Sequence, residues 1–159
     1  MKLHPLSNSE LIATITRESW FASATQCRLG DQLRILADAL NDFDTQRMKA
    51  IQQASRLAAD IAEAMTLPQA DRRREALLRC QARARDLVSM LRSRVEEFTR
   101  QAYRPLLPTK AALILADEPL RNFAASLKAR YEGVVLPDTE SCIGTVTQMS
   151  ERCGEELIS

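Results

Sequence analysis

A chain of 159 residues with a formal net charge of +1 can bury a core without disulfides or metals, and its bulk charge excludes a polycation built for nucleic acid or anionic lipid. Gly and Pro are scarce and aromatics make up only 4% of the chain, while Ala, Leu, Arg and Gln abound and the β-branched runs a sheet needs are missing. The expected fold is all-α: one domain, residues 1–159, folded as a bundle of five or six helices.

The first predicted helix opens in "LSNSELIATI". Ser7 and Glu10 have capping-box spacing, and Leu11, Ile12 and Ile15 form one apolar face. Trp20 and Phe21 fall away from that face if the helix continues through them. "CRLGD" closes or bends this region, with Gly30 suited to a C′ position and Asp31 to an N-cap.

A second helical region covers about 31–66. Leu33, Leu36, Leu40 and Phe43 follow a 3-4-3 rhythm, and Ile51, Ala54, Ala58, Ile61 and Met65 resume it. Between the two groups Asp44 and Arg47 would sit on the apolar seam of an unbroken helix. Either the helix is interrupted near "NDFDT", with Asp42 or Asp44 as a new N-cap, or the pair is buried and bonded together; burying charges is costly even when they are paired, so the interruption is the favoured expectation.

"LPQAD" reads as a turn, and a long helix over 71–104 follows it, stopped by Pro105. The regions 31–66 and 71–104 make a long antiparallel helical hairpin, the spine of the bundle. "RPLLPT" is a linker, "TKAALILA" a short helix, and "DEPLRNFAASLKARYEG" a further one with Asp117 as N-cap and Gly133 as its end. "VVLPD" reads as extended. The last helix starts near Asp138, with Ile143, Val146, Met149, Cys153 and Leu157 as its loose apolar stripe.

Segment 71–104 carries ten arginines and five acids, a local charge of +5 flanked by −1 over residues 1–70 and −3 over 105–159. On a helical wheel Leu77, Cys80, Ala84, Leu87, Val88, Leu91, Val95, Phe98 and Ala102 share one direction, the core stripe. Arg72, Arg79, Arg83 and Arg94 line one flank of it, and Arg74, Arg85 and Arg92 line the other. Flanking arginines cover the seam edge with their stems and pair with acids on neighbouring helices or a second subunit. The alternative use of the flank Arg72–Arg79–Arg83–Arg94 is a dock for an acidic protein segment. Phosphate-backbone binding by residues 72–104 is the nucleic-acid alternative, with no interleaved aromatics or helix-turn-helix to support it.

His4 is the only histidine, the cysteines Cys27, Cys80, Cys142 and Cys153 lack CxxC spacing, and no nucleotide-binding or nucleophile-elbow motif occurs. No catalytic, cofactor or metal residue is therefore expected. A small all-α enzyme would have to draw on Glu96, Glu97, Arg100 and Tyr103, a set any long charged helix offers. "MKLHPLSNSE" lacks the apolar centre of a signal peptide, and no apolar run approaches the ~20 residues of a membrane span, so a reducing cytoplasm is the expected compartment. These readings converge on a non-enzymatic protein–protein interaction module: a chaperone, an adaptor or a regulator-binding bundle. It would act on another protein or on itself, through Arg72, Arg79, Arg83 and Arg94 or through Trp20 and Phe21 as aromatic anchors.

Overall fold

Leu29, Leu33, Leu36, Leu40 and Phe43 recur at steps of four and three residues, and the same rhythm runs on through Arg47 to Ala50, Ala54, Leu57, Ile61 and Ala64. Every member except Arg47 is buried. A seam with this period holds one helix against its neighbours along its whole length. In the computed structural model it does so in a single helix, α1, over Asn8–Met65. The structure describes the backbone from Asn8 to Ser159 and the side chains from Ala24 onward. His4 and Ser7 lie outside the described residues, and the side chains of Glu10, the Leu11–Ile12–Ile15 face and the anchor candidates Trp20 and Phe21 lie outside the described ones.

Two expected breaks in α1 are corrected. Gly30 keeps the helix going without a positive φ, and Leu29 and Leu33 on either side are both buried. The "NDFDT" segment is also helical throughout, because the charge of Arg47 is met where it stands. Arg47 Nε donates to Asp44 Oδ1 at 2.8 Å, one turn back on the same helix. The true seam after Phe43 is Ala50, Ala54, Leu57, Ile61 and Ala64. Ile51 and Met65 are half-buried and Ala58 is exposed.

A turn at Leu67–Gln69 reverses the chain into α2, Ala70–Phe98. α2 continues through a π-helical turn, Thr99–Tyr103, and a last short piece, α3, Arg104–Leu106. Pro105 does not stop the helix. Arg104 N–H bonds to Thr99 O across five residues, and this wider turn shifts the carbonyl that a proline ring would otherwise strike. The helix ends instead at Leu107, whose ψ of 123° is the extended value favoured before a proline, here Pro108.

α4, Lys110–Leu115, begins at Thr109, whose side chain accepts from Ala112 N. α5, Glu118–Arg130, begins at Asp117, whose side chain accepts from Leu120 N at 3.1 Å as its spacing predicts. The expected end at Gly133 and extended "VVLPD" are overturned. A second π turn, Tyr131–Val135, leads straight into α6, Leu136–Ile158. Leu136 N–H bonds to Tyr131 O, again one residue before a proline, Pro137. The described residues thus form four continuous helical runs rather than five or six helices, without a strand. None of these helices is long and apolar enough to cross a membrane.

Side-chain contacts fix the directions. Arg83 to Asp60 and Arg94 to Gln46 set α2 antiparallel to α1, and Arg74 to Leu157 O with Gln81 to Ser150 O set α6 antiparallel to α2. α1 and the α5–α6 run are parallel, since Gln26 reaches Leu115 O while Arg47 reaches Asp138. α2 packs along both neighbours, whereas α1 and α6 touch less. One core gathers Leu33, Leu36, Leu40, Phe43 and Phe98 with Tyr103, Leu127 and Tyr131. The other gathers Leu57, Ile61, Leu77, Cys80, Leu91, Val146 and Cys153. Each fully buried leucine contributes about 2–3 kcal/mol relative to exposure.

Candidate functional site

Ile51 and Ala58 of α1, seven positions apart, form a short apolar stripe beside the seam rather than in it. On α6 the residues Asp138, Cys142, Thr145 and Met149 follow steps of four and three along the side turned to α1. Because α1 and α6 touch less than either touches α2, these stripes line an open groove of about 350 Å³. Its lining is small and mostly uncharged, with Ile51, Ala54, Ser55 and Ala58 from α1 and Ser141, Cys142, Thr145 and Met149 from α6.

Charge enters the groove at one end only, through Arg47 and Asp138. Arg47 occupies a core position of α1, and its side chain is 10% exposed. It donates to Asp44 at 2.8 Å and, from Nη1, to Asp138 Oδ2 at 3.3 Å. Arg130 at the end of α5 donates to Asp44 Oδ2 at 3.2 Å and to Asn41 Oδ1 at 2.6 Å. Two guanidinium groups and two carboxylates thereby tie α1 to both sides of the second π turn. Burial alone would raise the Asp44 carboxyl, but hydrogen bonds and charge from Arg47 and Arg130 outweigh it and hold the group below its ordinary value. Burial pushes the Cys142 thiol up, partly offset by Arg47, so it stays protonated at neutral pH.

The arginines singled out in α2 are distributed otherwise. Arg83 donates to Asp60 on α1 at 2.7 Å and Arg94 donates to Gln46 at 2.6 Å. Arg79 lines the same α1–α2 furrow next to Asp60 and Glu63, and Arg72 is exposed. This flank faces acids and amides of the same chain. On the other flank Arg74 donates to Leu157 O at 3.2 Å, satisfying a terminal carbonyl of α6 where cations are favoured. Arg85 and Arg92 line a furrow toward α6 with Glu96.

Glu96 and Glu97 line different furrows, and Tyr103 is buried with its hydroxyl donating to Glu132 at 2.7 Å. Among the described residues no group of His, Cys, Asp and Glu is placed to hold a metal, and every buried side-chain polar atom has a partner. In the sequence Ile51 and Ala58 read as part of the seam, which hides the groove. The signal was present as two apolar stripes one residue apart, of which only one fits the heptad through Phe43. No protein-family model, curated protein or solved structure matches the chain.

Proposed function

We propose that the chain is a non-enzymatic protein–protein interaction module, a helical adaptor or chaperone, whose working surface is the α1–α6 groove. The observation that carries this reading is the second apolar stripe of α1. Ile51 and Ala58 repeat with helical period yet face no core of their own chain. An amphipathic helix laid between α1 and α6 would bury them and complete a four-helix arrangement, the usual mode for a groove between helices. The antiparallel pair of 31–66 and 71–104 acts as the spine of this reading, and α6, packed along α2, as the second wall of the groove.

Small side chains in the groove favour close approach of a helix over capture of a small polar molecule. The arginine-rich helix is not the docking surface in this reading, because Arg83, Arg94 and Arg74 already have partners in the chain. The cytoplasm is the compartment it assumes, since free thiols such as Cys27 persist under reducing conditions.

The test is affinity capture from the native host by the full chain, with partners identified by mass spectrometry, alongside Ala58→Glu. Ala58 is exposed, so the substitution leaves the core alone. A stoichiometric protein held by the wild type and lost by the variant is the expected result. Equal retention by both, or no protein at all, refutes the groove as the working surface.

A further inference from the structure

Cys80 on α2 and Cys153 on α6 are both buried, 4% and 0% exposed, and belong to one core cluster. Two bonds fix the register between their helices. Arg74 donates to Leu157 O and Gln81 to Ser150 O, a step of seven residues on each helix. The same antiparallel register brings Cys80, one residue before Gln81, level with the turn 150–153. Side chains lean toward the N-terminus of their own helix, which in this antiparallel pair carries the two thiols toward each other.

The helices are close at this level. A Cβ added to Gly154 would lie 3.1 Å from Gln81 Nε2, so the missing side chain leaves room for Gln81 to lie across α6. Helices packed through small residues such as Cys80, Ala84, Cys153 and Gly154 approach to about 8–9 Å between axes, which leaves inward-facing Cα atoms about 4–6 Å apart. A disulfide requires about 4.4–6.8 Å. Burial pushes the Cys153 thiol up, the neighbouring Cys80 adds to that, and Arg152 lowers it.

We propose that Cys80 and Cys153 are a dithiol switch that a hydroperoxide closes to a disulfide, fastening the last turns of α6 to α2. The pair lies outside the α1–α6 groove, and its closure does not depend on what docks there. Access comes from the end of α6. Cys153 lies five residues before Ile158, where the helix ends, and terminal turns of a helix open first. Opening removes the burial while Arg152 stays beside the thiol, which favours the thiolate. Hydrogen peroxide is small enough to enter where an aromatic reagent is kept out. The Cys153 thiolate attacks one peroxide oxygen and the O–O bond breaks. Sulfenic acid forms, and the leaving hydroxide becomes water with the proton Cys153 gave up. When α6 closes, the Cys80 sulfur attacks the Cys153 sulfur, the S–O bond breaks, and a second water leaves with the Cys80 proton. Two thiols thereby lose two electrons and two protons, and the peroxide gains them.

The test uses the full chain carrying Cys27→Ser and Cys142→Ser, which leaves this pair as its only thiols. Hydrogen peroxide is added to the folded protein. The expected product is a single chain two hydrogens lighter, with no thiol left in denaturant and a cross-linked peptide joining Cys80 to Cys153. Its melting temperature rises by about 5 °C or more, and a thiol reductant reverses both changes. Cys80→Ala in the same background gives neither cross-link nor rise, and Cys153→Ala serves if circular dichroism shows the first variant unfolded. Thiols that react only after urea has unfolded the chain overturn the pair as a switch. So does sulfinic acid in place of the cross-link, a disulfide between two chains, or a cross-link that lowers the melting temperature.

Discussion

The rings of Tyr103 and Tyr131 lie 4.3 Å apart between centroids, and each tyrosine closes or opens one of the two π turns. Phe98 and Phe43 complete the cluster, with Phe98 4.9 Å from both Tyr131 and Phe43. The tyrosine hydroxyls end on Glu132 and Thr99, each at 2.7 Å. Tyr131→Phe removes one hydrogen bond and leaves the packing, so it lowers unfolding free energy by about 1 kcal/mol. Tyr131→Ala empties the junction of both π turns and costs about 3–5 kcal/mol. Urea unfolding of the two variants distinguishes these effects.

Both phenols also predict a limit in base. Burial, followed by the hydrogen bond and charge of Glu132, pushes Tyr103 well up, and burial pushes Tyr131 up against the lowering bond from Thr99. A group whose folded pKa is raised contributes stability that is complete below its unfolded value and is lost as pH rises. Stability should therefore fall above about pH 10, where unfolded tyrosine ionises. Absorbance titration should show no phenolate in the folded chain at that pH.

Asp44 sets the corresponding limit in acid. Its carboxyl is held below the ordinary 3.8, so its contribution is complete above that value and is lost as pH falls through the lower folded value. Asp44→Asn removes that charge at every pH and leaves Asp138 as the only carboxylate bonded to Arg47. The cost is about 2 kcal/mol at neutral pH, shrinking toward zero in acid, as thermal melts between pH 2 and 7 would record.

The arginine flank of α2 should matter little to binding. Arg83 and Asp60 are each about half exposed, so Arg83→Glu costs less than about 1 kcal/mol. Arg94→Glu loses the bond to Gln46 and meets Asp42 and Glu97 in the same furrow. The double variant should melt a few degrees lower while partner capture through the α1–α6 groove stays at the wild-type level. A double reversal that abolishes partner capture in a folded chain would move the interface from the α1–α6 groove to this flank.

Thiol reactivity follows burial. Cys27 is exposed, Cys142 is half-buried in the groove, and Cys80 and Cys153 lie in the core. An aromatic disulfide reagent should titrate one thiol quickly and one slowly in the native chain, and all four in denaturant. Burial raises the three inner thiols, which reinforces that order.

The sequence was most legible where one apolar period had no competitor. In α2 the stripe read from Leu77 to Ala102 is the buried or half-buried face, and Asp117 caps α5 as its spacing implies. It misled at Arg47, where a cost assigned to a buried charge argued for a break, while the partners that remove that cost lie on α1 and α6. It misled again at Pro105 and Pro137, each of which local rules place at a helix end. A π turn just before each proline absorbs the ring, and nothing in the neighbouring residues announces that turn.

The sequence by itself determined that the chain is all-helical, that Leu33 through Phe43 face inward, and that α2 presents arginines on two flanks. Those properties follow from local propensity and a repeat of 3.6 residues, which need no knowledge of neighbours. Only the tertiary structure decided that Arg83, Arg94 and Arg74 of the two flanks are spent on Asp60, Gln46 and Leu157 O, and that Arg47 belongs in the seam. It alone set Ile51 and Ala58 outside the core, where α1 and α6 part. Each of these depends on which helix lies opposite, and an opposing helix contributes charge, volume and distance that one strip of sequence does not contain.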